Sequence, residues 1–336
     1  MSVEAAESTR RPAEASAARP AGVAARPSKP VLVWAGVGLV LLIVIAQALV
    51  RWVTGDGFRG ADPGPDSYDG TRSLGAHALE WGLFLSALVV IWHFGVRSVR
   101  RERRLTFDGM LVVAACLSGF WEACTSYVAP AHAYNAHLIN LGSWAQYIPG
   151  WHAANGEAVV TPLVLVFGMY IWFVAGFPIL GCWLIRRLRD LRPRLSTLSA
   201  FSLFFLFGAA LTAGFEQLIL HSQVYVYPEV PHAISLWDGT LHQYPLLSAV
   251  GGGGVLTMIT ALRYTAQDGD ALALRGSEHL SARLRPVVST VAVVGFTHLA
   301  VIACWMIPFN LFVGVEADTS VNVPSYLDHG FVSGNR

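Results

Sequence analysis

Four carboxylates fall within or beside long apolar runs of this chain: Glu80, Asp108, Glu122 and Glu216. A charge at the bilayer centre costs ~2.5 kcal/mol or more, so an ionisable residue inside a span marks a functional hypothesis. Asp108 follows Thr106 at the start of an apolar run, where it suits the positive end of a helix dipole. Glu80 sits beside His77 one turn into another run and is read as an interfacial carboxylate. Glu122 and Glu216 are different: both stand near the ends of apolar stretches, with aromatic neighbours and no Lys or Arg close in sequence. A carboxyl stripped of water and given no cation keeps its proton. A protonated carboxyl near neutral pH is a general acid. The competing reading makes each a hydrogen-bonding link between helices.

Around them lie imidazoles, amides and phenols. Segment 126–158 carries Tyr127, His132, Tyr134, Asn135, His137, Trp144, Tyr147, Trp151 and His152, with no Lys or Arg. Segment 223–241 also lacks Lys and Arg and holds Asp238; His221 and His242 flank it. Interfacial Trp and Tyr belts account for part of this crowding, but not for the imidazoles and amides. His132, His221, His242 and Asp238 are candidates to line a polar pocket. A weak echo links Gly119-Phe120-Trp121-Glu122 with Gly214-Phe215-Glu216; each is followed by a Trp, a Gln-Tyr and a Pro.

The elements that must position these groups are membrane helices. With 54% hydrophobic and 13% charged residues, the chain lies far from a soluble domain, which carries about 25% charge. Seven apolar runs are long enough to span a bilayer, at 31–53, 75–96, 106–125, 159–185, 196–222, 242–264 and 287–307. Of 23 Lys and Arg, all but Arg51, Arg59, Arg72 and Arg336 fall in the N-terminal tail, Arg97–Arg104, Arg186–Arg194 and Arg263–Arg285. Those four segments alternate with the others along the chain, which puts the N-terminus and all of them in the cytoplasm. The fold class is therefore all-α, a polytopic helical membrane protein. Residues 1–30 are expected to form a disordered basic tail, 31–307 the seven-helix domain and 308–336 an extracytoplasmic segment. A cleaved signal peptide is not expected.

The net charge of +1 gives no field for nucleic acid. Cys116, Cys124, Cys182 and Cys304 lie in or beside apolar runs without C-x-x-C spacing and read as small buried residues, not a disulfide or zinc set. His93 and His298, one per helix at unmatched depths, make a poor haem pair. Gly251–Gly254 allows close helix packing or local unwinding, and packing is the favoured reading.

Taken together, the basic tail, the seven spans, the aromatic run Trp144 to Trp151 and the Gly119–Glu122 segment resemble the AveC-like spirocyclase family. The resemblance covers the whole chain but rests on no catalytic signature. It implies an integral membrane enzyme that closes the 6,6-spiroketal of avermectin- or milbemycin-type sixteen-membered macrolides, with no cofactor. Avermectin-type members also remove water from a ring hydroxyl. The substrate would be a lipophilic polyketide macrolide that partitions into the bilayer; oligomeric state is left open. Glu122 is expected as acid and Glu216 or Asp238 as base, with Tyr127, His132, Tyr134, Asn135, Trp144, Trp151, His221 and His242 binding substrate. Two rival readings are an exporter of the same macrolide and a non-catalytic membrane partner of pathway enzymes.

Overall fold

The computed structural model describes residues 29–267, 271–316 and 321–335. The tail before residue 29 lies outside them, and with it the expectation of disorder there. Seven helices are long and apolar enough to cross a bilayer: Pro30–Thr54, Gly70–Glu102, Phe107–Ser126, Leu163–Leu191, Thr197–His221, Leu246–Gln267 and Arg285–Phe312. They are spans 1 to 7. In hydrocarbon every backbone N–H must be satisfied within the segment, which leaves the helix as the solution for an isolated apolar run. Polar starts fix the ends. Asp69 accepts from the Arg72 N–H, Thr106 from the Gly109 N–H and Ser196 from the Ser199 N–H.

Burial sorts the spans into two rings. Only 22% of the apolar window is buried in spans 1, 2 and 5, against 56% in spans 4, 6 and 7 and 67% in span 3. The latter four therefore form the core, and the former three face outward. The glycine run lies in unbroken helix. A Cβ on Gly253 would meet the Phe205 carbonyl at 2.8 Å, and one on Gly251 the Cys304 carbonyl at 2.7 Å. Close approach to spans 5 and 7 is what the glycines serve, as the packing reading had it.

Three π-helical turns interrupt the spans, at Ile91–Val96, Trp172–Gly176 and Ile302–Met306. Each adds a residue to a turn and swings the following side chains around the axis. Span 3 instead tightens into a 3-10 segment, Gly119–Ser126, that carries Glu122. Outside the spans, β1 (Ala133–Tyr134) pairs antiparallel with β2 (Tyr225–Val226), and β3 (Ser235–Leu236) with β4 (Tyr244–Pro245). The first pairing ties the loop after span 3 to the loop after span 5. At the arginine-rich end, the Arg263 guanidinium holds Asp108 through two hydrogen bonds of 2.7 and 2.8 Å. Asp108 thus does more than complement a dipole: Thr106 is the cap, and Asp108 joins span 3 to span 6.

Glu80 is fully buried within the protein, where it accepts from the Ile139 N–H and pairs with His77. The reading of the cysteines changes in part. The four cysteines are free, but Cys116 is exposed on the bundle surface. His298 accepts from the Trp121 indole at Nδ1, so Nε2 carries the hydrogen and donates to the Ala114 carbonyl; both ring nitrogens serve helix packing.

Candidate active site

Glu122 and Glu216, 94 residues apart in sequence, line one chamber of about 350 Å3 toward the loop-rich ends of the spans. The walls are apolar and aromatic. Phe173 and Trp305 come from two of the π turns, with ring centroids 5.6 Å apart.

Three donors converge on Glu122. The Tyr134 hydroxyl donates to Oε1 at 2.8 Å, the Tyr170 hydroxyl to Oε2 at 2.8 Å, and His132 Nδ1 lies 3.1 Å from Oε1. The tautomer of His132 follows from its neighbours. Thr125 commits its hydroxyl hydrogen to the Glu122 carbonyl at 2.7 Å, so its oxygen can only accept from Nδ1, 3.1 Å away. With acceptors on both sides, Nδ1 carries the hydrogen and Nε2 of the neutral ring keeps its lone pair. His132 is 5% exposed, and Nε2 has no hydrogen-bond partner among the described residues. A carboxylate holding Nδ1–H while Nε2 stays available is the arrangement that makes an imidazole a proton carrier.

The surrounding structure fixes this geometry. Ser126 Oγ accepts from the backbone N–H of His132 and donates to its carbonyl. Asn310 of span 7 donates to the Cys124 carbonyl and accepts from the Val128 N–H, pinning the end of the 3-10 segment. The β1–β2 pairing sets Tyr134 opposite Tyr225.

Glu216 has its own set. Ser248 Oγ lies 2.8 and 2.7 Å from its two oxygens, and the Tyr227 hydroxyl donates at 2.9 Å. Tyr227 also packs its ring against His132, centroids 4.5 Å apart, which sets the Glu216 group beside the Glu122 group. Burial, followed by the nearby carboxylates, pushes the Tyr134, Tyr225 and Tyr227 phenols well above their ordinary range. They stay protonated near neutral pH.

Four of the residues expected at the site meet here: Glu122, Glu216, His132 and Tyr134. The others lie elsewhere. Asp238 is on an exposed turn, 2.6 Å from His232, and does not line the chamber. His221 and His242 stack at 4.6 Å on the outer face. Asn135 knits loops together, donating to the Gln223 carbonyl and accepting from the His137 N–H. Trp144 donates to the Phe120 carbonyl and borders a second, separate apolar cavity. Tyr127 and Trp151 pack edge to face and bond the backbone of their own loop.

Sequence reasoning passed over Tyr170, Tyr227, Ser248 and Trp305. A phenol within span 4 and the alternation Tyr225-Val226-Tyr227 were the available signals for the tyrosines. Ser248 and Trp305 gave none. No cluster of three or more His, Cys, Asp or Glu placed to hold a metal ion occurs among the described residues.

A polytopic helical membrane protein enclosing two buried carboxylates and an available imidazole in an apolar chamber is the class that fold and site define. The family described as spirocyclase AveC-like matches residues 102–329, which include every residue of the Glu122 and Glu216 networks. This chain belongs to the AveC-like spirocyclase family. No curated protein and no solved structure matches it.

Proposed function

We propose that the protein closes a 6,6-spiroketal from a keto-diol limb of a lipophilic polyketide macrolide of the avermectin type. We propose also that it removes a second water from the resulting ring. The reaction takes place in the chamber between Glu122 and Glu216, in a cell-membrane enzyme. The observation that carries this reading is His132 Nε2, buried and unpartnered at the chamber wall, with its other nitrogen held by Glu122.

Ring closure needs protons moved and nothing oxidised. One hydroxyl adds to the ketone carbon, and its proton ends on the former carbonyl oxygen, giving a hemiketal. The hemiketal hydroxyl is then protonated and leaves as water. The oxocarbenium ion that remains is captured by the second hydroxyl, which surrenders its proton. His132 Nε2 relays the first proton to the carbonyl oxygen. A second proton, passed to it from Glu216, makes the imidazolium that Glu122 steadies and that protonates the departing hydroxyl. Glu216 receives the proton of the second hydroxyl. Carboxylates and aromatic faces in a dry site favour the cationic stage over a neutral ground state. Dehydration reuses the pair: His132 protonates the ring hydroxyl and Glu216 takes the neighbouring C–H proton. Asp238 has no part in this scheme, because it lies away from the chamber.

The rival exporter requires a midplane site at broken helices related by repeats. The acid–base pairing of His132 with Glu122 favours the enzyme. The test is incubation of membranes containing the protein with the ketone precursor, followed by mass detection of loss of one and then two waters. Conversion that depends on His132 supports the proposal; unchanged precursor at verified protein levels refutes it.

A further inference from the structure

The chamber is closed toward the loops and open on one flank. Its polar lining, Glu122, His132, Tyr134, Tyr170, Glu216 and Tyr225, is buried throughout. Its partly exposed lining is apolar or weakly polar and comes from mid-span positions, chiefly Leu83 and Ser86 of span 2, Trp172 of span 4, and Leu211 and Phe215 of span 5. Neighbouring Leu85 and Leu88 on span 2, and Leu206 and Phe207 on span 5, are exposed by 43–62%. A mouth surrounded by such side chains opens onto hydrocarbon, not water. Span 2 packs on span 4, and the Trp172 indole donates to Ser86 Oγ at 2.9 Å. Span 5 packs chiefly on span 6. Spans 2 and 5 thus form the two jambs of an opening, with the π turn of span 4 behind it.

Size sets what passes. A volume of about 350 Å3 is near the lower end of the ~300–1,000 Å3 of pockets for drug-sized ligands. The reacting limb of a sixteen-membered macrolide fits such a space, and the whole macrocycle does not.

We propose that substrate reaches the site sideways from the bilayer between spans 2 and 5, and that only its keto-diol limb passes inside. The macrocycle stays in the mouth, against lipid. This rests on the reading of the chamber as a ketal-forming site. It adds a consequence for specificity: the enzyme accepts any keto-diol limb on an apolar body, and the body contributes affinity more than rate.

Two measurements test it in vesicles. Leu83→Trp narrows the mouth. It should lower kcat/KM at least tenfold for the macrolide keto-diol, while a slim acyclic keto-diol keeps its kcat/KM within threefold. Equal retention for both substrates overturns the route. Where both are lost together, photocrosslinking decides without needing turnover. A benzophenone amino acid at Leu211 should capture the macrolide keto-diol, and one at Trp237 on the outer loop should not; capture at Trp237 alone overturns the proposal. Capture at Leu211 by a protein that forms no spiroketal would leave this route standing and remove the catalytic reading instead.

Discussion

Replacing Glu122 by Gln is the most direct trial of the chemistry. The change keeps size and removes the charge. The amide oxygen keeps two lone pairs and still accepts, but the amide nitrogen is a donor and now faces a phenol or the Nδ1–H that formerly donated to the carboxylate. The Tyr134 and Tyr170 hydroxyls, each 2.8 Å from a carboxylate oxygen, can rotate to suit. His132 cannot, because Thr125 and Glu122 together define its hydrogen at Nδ1. With that definition weakened, the ring samples the other tautomer and its cation loses a counter-charge. Positioned acid–base catalysis contributes about 10²–10⁴ in rate, equivalent to roughly 3–5 kcal/mol of barrier at 1.36 kcal/mol per tenfold. Glu122→Gln should therefore lower kcat by about 10²–10⁴, with KM moving little, because no part of Glu122 need bind the macrocycle. The assay is ketone conversion in membranes, normalised to folded protein. A variant within threefold of wild type would mean that the Glu122–His132 pair only holds helices together.

Glu216→Gln should separate the two waters: the first is still lost at a reduced rate, while loss of the second falls by about 100-fold, read as accumulation of the hydroxylated spiroketal by mass spectrometry. Asp108→Asn should cost roughly 3 kcal/mol of stability by leaving Arg263 without its ion partner; thermal unfolding in detergent should shift down while kcat per folded molecule stays near wild type. His329 Nε2 donates to the Tyr134 carbonyl, 2.8 Å away. Burial pulls its pKa below the ordinary value, against the opposing pull of the Tyr134 and Asp62 carbonyls and the Asp328 carboxylate. The undocked segment then takes up a proton that the docked one resists, so docking of residues 323–334 is complete above about pH 6.5 and weakens as pH falls below it. Hydrogen exchange across that segment at pH 7.5 and 5.5 measures this; equal protection at both would refute it.

The spans were legible because two strong signals agree, apolar length and the alternation of arginine. The two glutamates stood out for the same physical reason, as costly residues in apolar surroundings. Their partners were less visible. His132 read as one imidazole among several, and only the folded loop brings its Nδ1 to Glu122. Ser248 is a small residue at the start of a glycine-rich helix, with nothing local to mark it as a donor to Glu216. Asp238 looked equivalent to the glutamates on charge alone. What separates it is burial, which depends on how the loop after span 5 lies, and local sequence does not encode that. Asp108 shows the same limit: its dipole role is local, but its Arg263 partner lies 155 residues away.

The contact between the first and last spans has a consequence for how the chain is made. A Cβ on Gly38 would collide with the Val291 carbonyl, and one on Gly295 with the Trp34 carbonyl, so these two backbones touch directly. Span 1 finds its principal neighbour in span 7 and has little of its surface covered otherwise. During synthesis it must therefore wait in lipid, unpartnered, until the final helix leaves the ribosome. That same late helix brings Trp305 to the chamber and Asn310 to the 3-10 segment that carries Glu122. Quality control that recognises an orphan first helix would thus remove the very chains whose reaction centre is unfinished.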